Sequence, residues 1–481
     1  MSLEPPTYLR SLQNNIRQRP IPWEGAVRAG TITEHDLKVI KAVDKVRKDQ
    51  RRQIVEESLE DYQSLILGGS KGKSVLESAT KRSDVVQYML TLTGDLLNDC
   101  PSLISKLLEH SDPYKPILPY LDHSSSPEDS IPLLASSVLT TIASSSQSQT
   151  PKITSQTEEA LSKLYKYQSK LTQSQDNGLK DIAVLQYSSL LKTKKSRELL
   201  WNQREATVTP LIDVLREAAG AGKDSDSTLW SGATSIRSAS EGAIGGGVSL
   251  QLLYHVLLVV WQLSFESSLV GKGLERDQEI ILLYTQLLRL SPKEKTTRLL
   301  LSTLSNLLNS SENKTTLLPS AVTARLPAVL SNLRTRHLTD PDLLEDLQAL
   351  AEMLDEYTNS QTTFDEYAAE IQSGKLRWSP PHRDARFWQE NARKILEEDG
   401  GALPRKLAEI LGKEWADDKS VLAIGCNDVG WLVKEVAEQR SQLEKLGIKV
   451  RVMQLMENED ETVRWEALRA VGEWLRYSFD D

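Results

Sequence analysis

"NEDETVRWEALRAVGEWLRY", residues 458–477, is the stretch that decides the fold of this chain. Its acidic residues precede the apolar ones, where negative charge favours the N-terminus of a helix. Five apolar residues then recur at helical spacing and predict one apolar stripe: Val463, Ala467, Leu468, Val471 and Leu475. A stripe of this kind belongs to an α-helix that buries one face against a neighbour.

The same periodicity extends over almost the whole chain, and no segment sustains the alternation of a strand. Pairs of apolar helical segments follow one another, as in "VVQYMLTLTGDLLND" and "PSLISKLLEH", with short breaks between them. Asp460, Val463 and Arg464 match the D-x-x-V-R arrangement of a HEAT repeat, and Gly447 separates two helices as in armadillo repeats. We therefore predict an all-α fold, a HEAT- or armadillo-like α-solenoid.

Two domains joined by a short linker are expected, with residues 1–356 in the larger and 357–481 in the smaller. The junction is placed near 356–360, ahead of Pro380 and Pro381, which cannot continue a helix. Segments near 123–158 and 219–247 are rich in Ser or Gly, so they are predicted to be mobile loops.

Composition excludes several classes of protein. The 481 residues carry a net charge of −9, which argues against a nucleic-acid partner. Two cysteines, Cys100 and Cys426, suit a reducing compartment, and the N-terminus "MSLEPPTYLR" has no apolar signal core. The longest apolar run, 248–265, contains His255 and two glutamines, so it is expected to be a helix buried in protein rather than in lipid.

"LILGGSKGKSVLES", residues 65–78, is nearly a nucleotide-binding P-loop. However, the glycine required five positions before Gly72 is Leu67, and the preceding residues have helical rather than strand spacing. We interpret the stretch as a helix that ends at Gly68 and Gly69, followed by a solvated turn around Lys73. No ATP-hydrolysing site is predicted.

Catalytic and metal-binding patterns are also missing from the sequence. The six histidines are scattered, no two lie four residues apart, and none neighbours a cysteine. We predict no catalytic residue, no metal and no cofactor. The aromatics of "SPPHRDARFWQENARKIL", 379–396, together with Trp378, are expected to pack in a core, with an exposed anchor at an interface as the alternative.

That stretch resembles the H subunit of the vacuolar-type proton-pumping ATPase. The residues that match the family pattern, predicted to be structural, are Trp378, Ser379, Pro380, His382, Phe387, Trp388, Glu390 and Asn391. The resemblance continues through Asn427, Asp428, Gly447 and the block from Val463 to Leu468. It is looser upstream, in "IPWEGAVRAGTITEHDLKVI" and "QLLYHVLLVVWQLSF".

The resemblance implies a non-catalytic regulatory and stator subunit on the cytosolic face of vacuolar membranes or other endomembranes, without membrane insertion. Its implied partners are the peripheral stalk, the cytosolic arm of the membrane-sector stator subunit, and catalytic-sector and rotor subunits during inhibition. In the family a loop of the C-terminal domain inhibits the free catalytic sector. The corresponding candidates here are Glu414, Trp415, Asp417 and Asp418.

The alternative is a general α-solenoid adaptor for protein–protein contacts. A nuclear-import carrier would repeat Trp with Asn four residues later, and none of the ten tryptophans has that partner. An adaptor with other partners stays open on the residues alone.

Overall fold

The computed structural model describes residues 7–69, 72–124, 126–150, 153–220, 243–244, 248–291, 293–360, 363–415 and 418–476. The predicted all-α solenoid class is confirmed. Contacts divide the chain into two compact units. The first comprises residues 1–215 with 247–266, and the second comprises 216–246 with 267–481.

The helices of the first unit are α1 (Thr7–Gln18), α2 (Trp23–Arg28), α3 (Glu34–Val43), α4 (Lys48–Glu57), α5 (Leu59–Leu67), α6 (Val75–Ser78), α7 (Ser83–Asp99), α8 (Pro101–Leu108), α9 (Ser130–Gln149), α10 (Ser155–Thr172), α11 (Asn177–Leu190), α12 (Lys194–Asn202), α13 (Arg204–Thr207), most of α14 (Thr209–Ala218) and α15 (Leu250–Ser264). A 3-10 helix spans Leu118–Asp122. The described residues also include two-residue strands, β1 (Ala243–Ile244) and β2 (Val248–Ser249).

The second unit continues with α16 (Ser267–Gln278), α17 (Ile280–Leu290), α18 (Glu294–Asn309), α19 (Lys314–Thr323), α20 (Leu326–Arg334), α21 (Pro341–Ser360), α22 (Thr363–Ser373), α23 (Pro380–Arg383), α24 (Ala385–Glu397), α25 (Ala402–Gly412), α26 (Ser420–Glu435), α27 (Arg440–Lys445), α28 (Ile448–Leu455) and α29 (Glu461–Arg476). Short 3-10 helices occupy Glu398–Gly400 and Ala437–Gln439. The domain boundary proposed at residue 356 lies near the end of α21 and remains a prediction.

Helix α15 contains the long apolar run and packs against α11 inside the first unit. The polar groups that made it unsuitable for lipid are paired in protein: His255 Nδ1 lies 2.5 Å from Asp181, which also accepts from Gln251 at 3.3 Å. Gln262 donates to the carbonyl of Ser188 at 2.9 Å. The prediction of a buried helix is confirmed. Across the described ranges, no helix is both long and apolar enough to cross a membrane.

The prediction of a mobile loop over 123–158 is wrong for most of its length. Helix α9 occupies Ser130–Gln149, and its apolar side chains, including Leu134, Val138 and Ile142, are buried. The many serines of this segment suggested a loop. They lie between the apolar positions, however, and do not interrupt the helical spacing of the apolar side chains. Of the second predicted loop, 219–247, residues 221–242 and 245–247 lie outside the described residues.

The stretch that resembles a P-loop is the junction between α5 and α6. Helix α5 ends at Leu67, and Gly68 follows with φ of 83°, as predicted for a glycine that stops a helix. The Ser74 hydroxyl accepts from the backbone N–H of Glu77 at 3.1 Å, and the Glu77 carboxylate accepts from the backbone N–H of Ser74 at 2.9 Å. The serine therefore caps a helix instead of facing a phosphate.

Helices α26 and α29 pack closely in the second unit, where Gly430 of α26 lies against Ala470 of α29. The predicted stripe of α29 needs correction. Its buried line is Val463, Ala467, Ala470 and Trp474, while two of the predicted members, Leu468 and Leu475, are 49% and 53% exposed. The helix has apolar residues on two faces, and only contact with α26 and α28 selects the buried one.

Replacing Gly271 with alanine is expected to destabilise the protein by about 1–3 kcal/mol. A Cβ at this position in α16 would overlap the side-chain amide of Asn313. That amide is fully buried and donates to the carbonyls of Ser267 at 2.8 Å and Leu307 at 3.2 Å. Urea unfolding followed by circular dichroism measures the change.

Gly472 provides the matched control, because it also lies within a helix, α29, but nothing surrounds its added Cβ within 4 Å. Gly472→Ala should stabilise the helix by up to about 1 kcal/mol. Equal effects of the two substitutions would contradict the steric argument for Gly271.

Candidate functional site

His382 lies at the centre of the C-terminal helices. Pro380 and Pro381 start the short helix α23. Proline is suited to the first turn of a helix, because the N–H group that it lacks would have no partner within the helix there. The turn directs His382 inward. The side chain is completely buried. Its Nδ1 lies 2.7 Å from Oδ1 and 2.9 Å from Oδ2 of Asp428, and its Nε2 lies 3.5 Å from the carboxylate of Glu370.

Two carboxylates keep this imidazole charged. Burial by itself would lower the pKa of His382, but Asp428 and Glu370 outweigh burial and raise the pKa to about 10. The phenol of Tyr367 donates to Asp428 at 3.3 Å. Burial, followed by the charge of Asp428, raises the pKa of Tyr367, so this donor stays neutral.

The network joins helices that are distant in sequence. Asn427 donates to the carbonyl of His382 at 2.9 Å and to Asp428 at 3.0 Å, and it accepts a short bond from Arg469 of α29. Helices α22, α23, α26 and α29 are thereby connected by charged and polar groups inside one apolar core. This arrangement fixes their mutual orientation.

Aromatic rings surround the network. Trp388 is completely buried, with ring centroids 5.3 Å from Tyr367 and 5.5 Å from Phe387, and it stacks at 6.5 Å on Trp431. Trp378 is partly buried, with the Arg383 guanidinium 4.9 Å from its ring centroid.

The remaining residues of the family pattern lie closer to the surface. Pro380 and Glu390 are exposed, and Glu390 pairs with Arg386 at 2.9 Å. Asn391 donates to the carbonyl of Phe387 at 2.9 Å. Pro380 and Glu390 are therefore the members of this pattern that are accessible to a partner.

The candidate inhibitory loop connects α25 and α26. Glu414 is exposed, whereas Trp415 is partly buried against the core and donates its indole N–H to the carbonyl of Ile410 at 3.0 Å. Asp418 is half-buried and accepts a short bond from the Ser420 hydroxyl. Asp417 lies outside the described residues. Trp415 thus holds the start of the loop against the core.

The last two helices carry exposed apolar side chains that the sequence analysis did not identify as exposed. We use the name α28–α29 surface for these side chains, which are Val450 and Met453 of α28 and Trp465, Leu468 and Leu475 of α29. Trp465 is 67% exposed and Val450 is 61% exposed. The sequence did contain evidence for a second apolar face, because helical spacing places residues 465, 468 and 475 together on the side of α29 opposite its buried line. Aromatic and aliphatic side chains exposed on one helix face are suited to contact with another protein.

Within the residues that the structure describes, no group of three or more His, Cys, Asp or Glu side chains is placed to hold a metal ion. Stacked helices, the last two with exposed apolar side chains, define a helical solenoid of the type that binds other proteins.

The chain belongs to the V-ATPase H-subunit family. The family model for the N-terminal part matches residues 7–354, and the model for the C-terminal part matches residues 360–479. The resemblance identified from the sequence is confirmed.

Curated relatives extend over the same length. The V-type proton ATPase H subunit of Drosophila melanogaster is 27% identical over 480 residues, covering 98% of this chain and 91% of the relative. A probable V-type proton ATPase H subunit of Oryza sativa subsp. japonica is 27% identical, covering 95% and 94%. A probable V-type proton ATPase H subunit (number 1) of Caenorhabditis elegans is 31% identical, covering 48% of this chain and 51% of that protein.

Proposed function

We propose that this chain is a non-catalytic regulatory and stator subunit of the vacuolar-type rotary proton pump. It bridges the peripheral stalk and the cytosolic arm of the membrane-sector stator subunit, and so supports ATP-driven proton transport in the assembled pump. When the catalytic sector is free, the same chain inhibits ATP hydrolysis. It works on the cytosolic face of vacuolar membranes or other endomembranes, held there by its partner proteins in the pump.

The observation that carries this proposal is the α28–α29 surface. It lies in the part of the chain that matches the C-terminal family model, which is the part expected to contact the stator arm or the catalytic sector. Trp465 extends into solvent from a helix whose opposite face is fixed in the core by Trp474. Exposed tryptophans on rigid elements are frequent anchors of protein interfaces.

Physical properties of the fold suit a stator. Stacked helices form a stiff body with long surfaces, which can transmit torque between subunits. Binding through two separate parts of one chain raises the effective concentration of each contact, so individually weak contacts hold together. Inhibition then requires only a bridge between rotating and stationary parts, without chemistry by this chain.

The test is ATP hydrolysis by a vacuolar-type catalytic sector stripped of its own H subunit, with this chain added in increasing amounts. A saturable loss of hydrolysis near one chain per sector is expected. No loss of hydrolysis, combined with no binding to the peripheral stalk, would contradict the proposal and leave a solenoid adaptor with other partners.

Replacing Trp465 and Leu468 together with serine is expected to raise the half-inhibitory concentration at least about tenfold, because truncating interface anchors typically costs about 2 kcal/mol or more. Folding should be unaffected, since both side chains are exposed. Leu344→Ser, at a position 44% exposed in α21, serves as a control and should inhibit like the parent. Equal inhibition by all three proteins would exclude the α28–α29 surface from the inhibitory contact.

Removing the loop charges is expected to weaken inhibition while binding to the stalk is retained. The full replacement changes Glu414, Trp415, Asp417 and Asp418 to alanine. Because Trp415 bonds to Ile410 and packs on the core, a second variant that keeps Trp415 separates loss of charge from loss of packing. Unchanged inhibition by both variants would show that this loop is not the inhibitory element.

A further inference from the structure

A cavity of about 330 Å³ lies within the second compact unit, apart from the α28–α29 surface. One wall comes from α19 and the residue that precedes α20. The opposite wall comes from α22 and the segment leading into α23, and Tyr357 of α21 also contributes. Pockets that hold small molecules start at roughly this size.

Two of the four charged residues that line this cavity are arginines, and a third arginine lies beside it. Arg325 and Arg377 line it, and Arg289 of α17 donates to the carbonyl of Ala324 at 3.5 Å, beside Arg325. Burial, followed by the charges of Arg325 and Arg289, lowers the pKa of Arg377 to about 10. Burial and Arg325 also lower the pKa of Arg289. The positive charges of Arg325 and Arg289 therefore oppose that of Arg377, and an anion bound to the two arginines that line the cavity would offset this repulsion.

Glu370 also lines the cavity, but its carboxylate is engaged by the buried network around His382. It accepts from the backbone N–H of Arg377 at 2.5 Å and from the Ser379 hydroxyl at 2.8 Å, and it faces the charged ring of His382 at 3.5 Å. Its charge is thus balanced inside the buried network. Glu366 is exposed as a residue, but partial desolvation of its carboxyl group, followed by the charge of Glu370, raises its pKa. Asp418 contributes a further negative charge near Arg377.

The backbone at Arg325 is strained. This residue has φ of 61° and ψ of 32°, the left-handed conformation that a side chain other than glycine or asparagine rarely adopts. Such conformations cost on the order of 1–3 kcal/mol and concentrate at binding sites. Here the strained residue is exposed and is one of the two arginines that line the cavity.

Apolar groups complete the lining. Pro319 and Val322 come from α19, and Trp378 lies opposite, held by the stacked guanidinium of Arg383. A ligand that suits this lining has an anionic head and an apolar or planar body. Guanidinium groups bind phosphate and carboxylate through pairs of parallel hydrogen bonds. A phosphate monoester offers three acceptor oxygens, so it can bond to two arginines at once more readily than a carboxylate with two.

We propose that this cavity binds a phosphate ester, with its phosphoryl oxygens on Arg325 and Arg377 and its organic part against Trp378. The site goes beyond the proposed function and does not depend on it, because it requires only the isolated chain. The ester can be a soluble metabolite or the headgroup of a phospholipid, since both present the same group.

Isothermal titration of the full-length protein with phenyl phosphate tests the site. One molecule per chain is expected to bind, and the temperature of unfolding should rise with ligand concentration. Arg325→Gln and Arg377→Gln should each weaken binding at least about tenfold, since hydrogen bonds to charged groups contribute about 1.5–3 kcal/mol. Glu366→Gln should strengthen binding by removing a competing charge.

Arg334→Gln is the matched control. It removes one positive charge from α20, where Arg334 is exposed and bonds to Gln348 at 2.8 Å, and it should bind like the parent. Equal loss in the Arg334 and Arg325 variants would overturn the proposal in favour of a general charge effect. Absence of binding by the parent would overturn it as well. Arg325 is exposed, so its variant stays informative even if Arg377→Gln unfolds.

Sedimentation with phosphatidylcholine vesicles that contain phosphatidic acid distinguishes the two sources. Sedimentation that phenyl phosphate prevents, and that Arg325→Gln abolishes, assigns the site to a lipid headgroup. Binding of phenyl phosphate without sedimentation assigns it to a soluble ester.

Discussion

Replacing His382 with alanine is expected to lower the free energy of unfolding by about 3–5 kcal/mol, because it leaves buried charge without its partner. Asp428 and Glu370 would both lose the imidazolium that faces them, at 2.7 Å and 3.5 Å. Neither carboxylate can turn to solvent, since Asp428 is fully buried and Glu370 is 6% exposed. Urea unfolding followed by circular dichroism measures the loss. His337→Ala, at an exposed position, should have almost no effect.

The contribution of His382 should depend on pH in a defined direction. Its pKa rises from 6.5 in the unfolded chain to about 10 in the folded protein. A raised folded-state pKa gives stability that is complete below the unfolded pKa and is lost as pH rises through the folded pKa. The difference in unfolding free energy between the parent and His382→Gln should therefore be largest near pH 6.5 and smallest near pH 10. It should also shrink in acid, because burial raises the pKa of Asp428 and protonation of that carboxyl removes the partner charge. A difference that grows between pH 6.5 and pH 10 would show that the buried ring is neutral.

Replacing Trp388 with alanine is expected to cost about 3–5 kcal/mol, the range for a buried tryptophan that leaves a cavity. The ring is completely enclosed by Tyr367, Phe387 and Trp431, so its neighbours cannot collapse into the space without disturbing the network around His382. Trp388→Phe should cost much less. No partner for the indole N–H is found among the described groups, so phenylalanine sacrifices volume only.

Trp465 is the matched control for this experiment. It is also a tryptophan on a C-terminal helix, but 67% of it is exposed, and Trp465→Ala should change stability by no more than about 0.5 kcal/mol. The same variant should weaken inhibition of the catalytic sector if the α28–α29 surface is the contact. Comparable destabilisation by Trp388→Ala and Trp465→Ala would contradict the assignment of one ring to the core and the other to an interface.

The two tryptophans show what helical spacing can predict about burial and what it cannot. Spacing places Trp388 on the stripe of α24, and the structure buries it there. On α29 the same reasoning selected Leu468 and Leu475 for the core, and both are half exposed. The spacing of α29 is compatible with two apolar faces, so the pattern alone had no means of choosing between them. The choice depends on which face meets Gly430 of α26.

Local chemistry explains why the rest of the sequence analysis succeeded. Helical periodicity and the glycine that ends α5 act within a few residues, so they can be read from neighbouring positions. The sequence also shows that the apolar run of α15 contains polar groups, but the partner of His255, Asp181, lies 74 positions away and is visible only in the structure. The error over 123–158 came from composition rather than spacing. The apolar positions of α9 retain a helical period, while the abundance of serine suggested disorder.

By itself, the sequence determined the helical class, the absence of a P-loop pattern and the resemblance to the family, and it favoured an inward position for the aromatic motif. Only the tertiary structure brought His382 to Asp428, forty-six positions away, and Arg325 and Arg377 to one cavity. Only the tertiary structure left Trp465 exposed. The physical reason is that bond geometry fixes which residues share a helix face, whereas the burial and charge of that face depend on which helices pack against it.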